Sequence, residues 1–72
     1  MSRALPGTVT VAPGSREVTT TADLRLHLLR GDAVEINGEL FQVHSTDPFT
    51  STVLPLDSYH RLGASGDVAY GE

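Results

Sequence analysis

The chain has 72 residues and no cysteine, so it is one small domain without a disulfide framework. Five arginines and no lysine stand against nine acids, for a net charge of −4, and no basic run offers a track for nucleic-acid phosphates. No window approaches the length of a membrane span, and the opening MSRALPGTV lacks an apolar stretch of signal-peptide length.

Residues 1–6 read as an N-terminal arm and residues 7–72 as a single small β-domain. A domain of this size buries only about 60% of the surface its unfolded chain exposes, so the core is thin. GTVTVA at 7–12 alternates with period 2, with Val9 and Val11 on one face and Thr8 and Thr10 on the other, which is strand patterning. Pro13 and Gly14 are turn chemistry, and REVTTT at 16–21 is a second β-branched run, so the two runs are expected to form a hairpin.

In ADLRLHLLR at 22–30, Leu24, Leu28 and Leu29 fall on helical spacing. Thr20 with Asp23 supplies a capping pattern and Gly31 a terminator, so one or two helical turns are expected around 23–30. Leu24, Leu26 and Leu28 also alternate with Arg25 and His27, which is strand grammar. DAVEIN and ELFQVHST flank Asn37-Gly38, the preferred pair for a type I′ turn. This predicts a β-hairpin whose inward set is Val34, Ile36, Phe41 and Val43. DPFTS at 47–51 reads as a turn. TVLPL at 52–56 reads as a strand that Pro55 confines to an edge or a strand end. DSYHRLGASGD reads as a loop, and VAY at 68–70 as a last short strand. The expected fold is all-β: a small six-stranded antiparallel barrel or sandwich.

The chemistry-bearing residues are scattered. His27, His44 and His60 lie in different elements without local ligand spacing, so they predict no metal site. Asp32, Asp47, Asp57 and Asp67 sit in or beside turns, where Asp caps the backbone. Asp57, Ser58 and His60 are too close in sequence to make a triad by themselves, and no G-x-S-x-G elbow is present. GASG at 63–66 lacks the lysine of a phosphate loop. These readings predict no enzyme, no cofactor and no small-molecule substrate.

Three stretches are candidates for partner binding. Arg3, Leu5 and Pro6 belong to the arm, which an assembly partner could order. Val18, Thr19, Thr20 and Thr21 form the uncharged end of a strand that, at a sheet edge, would be open to augmentation; the favoured alternative is an ordinary strand paired inside the sheet. Tyr59 and Leu62 stand in the 57–62 loop.

The stretch TTTADLRLHLLRGDAVEINGELFQVHS, with GTVTVAPGS before it and STVLPL after it, resembles small β-modules of tailed-bacteriophage structural proteins. The likeness lies in the order of its parts: a Thr-rich lead and Asp23 opening a leucine-bearing segment. Gly31-Asp32 follow, then a strand with Val34 and Ile36, a Gly-bearing hairpin turn and an aromatic-x-Val strand at Phe41 and Val43. It covers residues 7–70. It implies a structural subunit of a virion, in capsid decoration, neck or tail, with other virion proteins and itself as partners and no nucleic acid or membrane. The location implied is the virion, after synthesis in the host cytoplasm. A start at Met1 and an end just past the last strand fit a complete small gene product. A small adaptor on a cellular assembly is the alternative, and a metal-binding domain built on the three histidines is a third.

Overall fold

The computed structural model describes residues 3–71. They form two four-stranded antiparallel sheets packed as a sandwich. In chain order the strands are β1 (Arg3–Ala4), β2 (Val9–Val11), β3 (Ser15–Thr20), β4 (Ala33–Ile36), β5 (Glu39–Gln42), β6 (Val53–His60), β7 (Ala64–Asp67) and β8 (Ala69–Gly71). One sheet runs β1-β8-β4-β5 and the other β6-β3-β2-β7. The chain crosses between them at Val68, and on the opposite side a single bridge, Val43↔Leu56, links them.

Turn chemistry sets the local register. Asn37 (φ 49°) and Gly38 (φ 81°) both take the positive φ of a type I′ turn. That two-residue turn fixes Ile36↔Glu39, Glu35↔Leu40 and Val34↔Phe41. The expected inward set of Val34, Ile36, Phe41 and Val43 is buried, as are Val9 and Val11 of the first hairpin. Leu5, Val18, Leu24, Leu28, Leu54, Leu56 and Ala69 complete the core. Full burial of a Leu or Ile side chain contributes about 1.5–3 kcal/mol, so this set carries most of what offsets chain entropy.

Three expectations are corrected. The strands number eight among the described residues, not six, and their ladders form two sheets rather than a closed barrel. The helical segment around 23–30 is one 3-10 turn, Leu24–Leu26. Asp23 does cap it, accepting the Arg25 N–H at 3.1 Å, and Leu24 and Leu28 are buried at their i, i+4 spacing. The alternating Leu26 and the following Leu29 have no core to face and stay exposed, so the turn does not propagate into a helix.

The strand bearing Val18 to Thr20 is not an edge. β3 lies between β2 and β6, with Val18 paired to Leu54 and Thr20 to Val9. The stretch read as a loop from Asp57 contains the end of β6 and all of β7. Pro55 sits within β6, an edge strand of its sheet, where its missing N–H costs no rung on the outer side.

Candidate interaction surface

β6 carries the largest irregularity in either sheet. Ser15 pairs with His60 and Glu17 with Pro55, so two steps along β3 span five along β6. The excess bulges outward at Asp57, Ser58 and Tyr59, all exposed, between the buried Leu56 and His60. Bulges bend a strand and re-aim its side chains. His44 N–H still donates to the Pro55 carbonyl at 3.0 Å. The Gln42 N–H meets the Asp57 carboxylate, Oδ1 at 3.1 Å, where a continuing ladder would offer a carbonyl. Past that point no residue of β5 is registered to β6, and the two strands meet through side chains, with Glu39 and Phe41 against His60.

A cleft of about 400 Å³ lies here, lined by Glu39, Leu40, Phe41, Ser58, Tyr59 and Arg61. Leu40 is 64% exposed and Tyr59 56%. The parity of the hairpin explains Leu40: with Phe41 and Val43 turned inward, the residue between β4's partner positions points out. Register then extends the surface. Leu40 pairs with Glu35, Glu35 with Tyr70, and Tyr70 with Ala4, so one outward row crosses all four strands of that sheet. At about 4.8 Å per strand the row is about 14 Å long. Tyr70 is half-exposed, and Glu35 is the charge between two apolar neighbours.

The residues expected to bind partners fall in different places. Tyr59 is on the cleft. Leu62 is exposed on a separate shallow depression with Pro13, Asn37 and Ala64. Arg3 and Ala4 are not a free arm but strand β1, paired to Gly71 and Tyr70 of β8. The Arg3 guanidinium donates to the His27 carbonyl at 2.6 Å. Leu5 is core and Pro6 is exposed; Met1 and Ser2 lie outside the described residues. Val18 and Thr20 are buried, whereas Thr19 and Thr21 are exposed. Thr21 is tied to the strand opposite it, its Oγ1 accepting the Thr8 N–H at 2.7 Å.

Sequence reading passed over Leu40 and Tyr70. The available signal was an apolar residue at an outward position of an otherwise strictly alternating hairpin.

The histidines do not converge. His27 is exposed, and His44 Nδ1 accepts the N–H groups of Thr46 and Asp47 at 3.1 and 3.0 Å. His60 is fully buried, with Nε2 2.9 Å from the Ile36 carbonyl and Nδ1 2.8 Å from Glu39 Oε2. Among the described residues no group of three His, Cys, Asp or Glu side chains could hold a metal ion. No described helix is long and apolar enough to cross a membrane. No protein-family model, no curated protein and no solved structure matches this chain.

Proposed function

We propose that this chain is a non-enzymatic structural subunit of a phage virion, in capsid decoration, neck or tail. It docks on a neighbouring protein through the surface formed by Tyr59, Leu40 and Tyr70. The observation that carries the binding role is the continuity of that surface: two large side chains share the β5–β6 cleft, and register joins Leu40 to Tyr70 across β4. Contiguous apolar surface with a polar rim is what protein partners cover, and aromatic side chains supply most of the energy at such contacts. Arg61 lies on the cleft and Glu35 within the row, between Leu40 and Tyr70, and both are exposed. The virion assignment is supported by the ordered resemblance across residues 7–70.

The test is co-sedimentation of the purified chain with capsids, necks or tails of the particle whose genes neighbour its own. Stoichiometric binding to one of these supports the reading, and Leu40→Ser with Tyr59→Ser abolishes it. Binding to a cellular assembly in place of any virion component overturns the virion assignment and leaves an adaptor. Failure to bind a partner or to self-associate overturns both.

A further inference from the structure

His60 is the one fully buried ionisable side chain among the described residues, and it packs against Glu39 and Phe41 of the cleft wall. Its ring joins four elements. It belongs to β6, and Nε2 faces the Ile36 carbonyl at the end of β4, 2.9 Å away. Nδ1 accepts the Gly63 N–H, at 2.9 Å, from the turn that leads into β7. Glu39 at the start of β5 brings Oε2 to 2.8 Å from the same Nδ1. Phe41, also of β5, packs against the ring with centroids 5.3 Å apart.

These contacts fix the ring's bonding. The Ile36 oxygen is an acceptor, so Nε2 carries a hydrogen and donates to it. The Gly63 N–H is a donor, so Nδ1 offers it a lone pair. That leaves Glu39 Oε2, a buried atom without a satisfied hydrogen bond, against a nitrogen that is already an acceptor. Two acceptors do not rest 2.8 Å apart. An orphaned buried oxygen of this kind calls for a physical explanation, and one proton between the two atoms provides it. The proton sits on the carboxyl, as Oε2–H donating to the Nδ1 lone pair that the Gly63 N–H also reaches. This arrangement holds one proton more than a carboxylate beside a neutral imidazole.

We propose that His60 and Glu39 share this single proton, and that its release is a pH-dependent switch of the docking cleft. The consequence for partner binding rests on the reading of that cleft given above; the shared proton does not. With the proton held, Glu39 is drawn back against the ring, and with Phe41 it forms a closed wall of the cleft. With the proton lost, Oε2 and Nδ1 repel, and the carboxylate turns outward as a full negative charge.

The charged groups around the pair are few. Arg61, the residue after β6, reaches it only through Glu39, with Nε 3.5 Å from Oε1. β3 faces the pair's strand with Ser15, β4 with the Ile36 carbonyl, and the turn before β7 with the Gly63 amide. Released from the ring, the Glu39 carboxylate therefore has Arg61 as its nearest cation, and the two charges meet at the cleft mouth. The sign follows. The contact's contribution to stability is present where the proton is held and is lost as the pH rises through its release.

The test uses the free full-length chain, so its outcome is independent of any partner. Thermal unfolding is followed as a function of pH for the wild type and for Glu39→Gln. A glutamine amide N–H can face Nδ1 in place of the proton and does not titrate. The expected result is a wild-type midpoint that falls with rising pH relative to the variant, whose profile lacks that component. Superimposable profiles overturn the proposal. If the variant does not fold, NMR of the wild type decides. The His60 ring nitrogens and the Glu39 carboxyl carbon are expected to shift with one common midpoint. Separate midpoints, or a carboxyl carbon that stays ionised throughout, overturn it.

Discussion

The carboxylate of Asp57 accepts the backbone N–H of Gln42 across the gap between β6 and β5, Oδ1 to N 3.1 Å. A side chain thereby takes the place of a ladder carbonyl one residue past the Val43↔Leu56 bridge. The bond closes one side of the sandwich and ends it at the same point, because a carboxylate between the strands keeps their backbones from approaching further. The cleft begins there.

Asp57→Ala is expected to leave the Gln42 amide without its protein partner. The bond is solvent-exposed, so the loss is modest, about 0.5–1.5 kcal/mol in urea unfolding. Amide hydrogen exchange is the sharper measurement. Gln42 is expected to exchange faster in the variant while Val9, in the other sheet, is unchanged. An unaltered Gln42 rate rules out the capping role.

Leu40 and Tyr59 are exposed in the isolated chain, so replacing both with serine is expected to leave stability within about 0.5 kcal/mol, the usual range for surface positions. Association with the partner, in contrast, is expected to fall at least tenfold. Comparing unfolding curves with sedimentation separates the two effects. A large drop in stability would mean that these side chains support the fold rather than a contact.

Leu54 and Leu26 provide a contrast in the core. Leu54 is 0% exposed and pairs with Val18 on the neighbouring strand β3 of the same sheet, whereas Leu26 is 81% exposed on the 3-10 turn. Leu54→Ala is expected to cost about 2–5 kcal/mol, a large share of the roughly 5–15 kcal/mol that small domains have in total. Leu26→Ala is expected to be nearly silent. Circular dichroism at rising temperature checks both.

The 3-10 turn gives a pH dependence with a defined sign. Asp23 is held below its ordinary carboxyl value of 3.8 by the Arg25 guanidinium, which donates to Oδ1 and Oδ2 at 2.9 and 2.8 Å. A depressed carboxyl stabilises the folded form above its unfolded value and loses that contribution as the pH falls through the folded one. The cap is therefore intact at neutral pH and is lost only in strong acid. The Arg25 amide shift is expected to titrate with a midpoint below 3.8. A midpoint at or above that value contradicts the ion pair.

What the sequence made legible was local. Asn37-Gly38 dictates its own turn, the turn dictates register, and register with alternation dictates that Val34, Ile36, Phe41 and Val43 face inward. Asp23 announces its cap in the same way. The position of β3 was not legible, because what flanks it is Val9 on one side and residues near Leu54 on the other. Whether a strand is central or an edge is a property of partners far along the chain, and Val18-Thr19-Thr20 reads alike in either setting. The same holds for His60, whose burial follows from the bulge in β6. That bulge stores no recognisable pattern in LDSYH, since its polar residues mimic a loop. The outward apolar residue Leu40 was the one local sign of the surface that the fold assembles from three strands and a bulge.

Gly63 ties the turn after β6 to the rest of the molecule, and it yields the most discriminating pair of substitutions. Its φ of +74° is unfavourable for any residue with a Cβ. A Cβ there would also lie 2.8 Å from Pro13 Cδ and 3.0 Å from the Val11 carbonyl, with a rigid ring and a strand backbone as the obstacles. Gly66 has nearly the same φ, +72°, but open space around it. Gly66→Ala therefore measures the conformational cost alone, expected at about 1–2 kcal/mol. Gly63→Ala adds the clash and displaces the amide that donates to His60 Nδ1, so it is expected to cost clearly more. The difference between the two unfolding free energies isolates what close packing of this turn contributes. Equal costs would mean that the turn moves freely away from Pro13, and that the Gly63–His60 bond does not hold the buried ring in place.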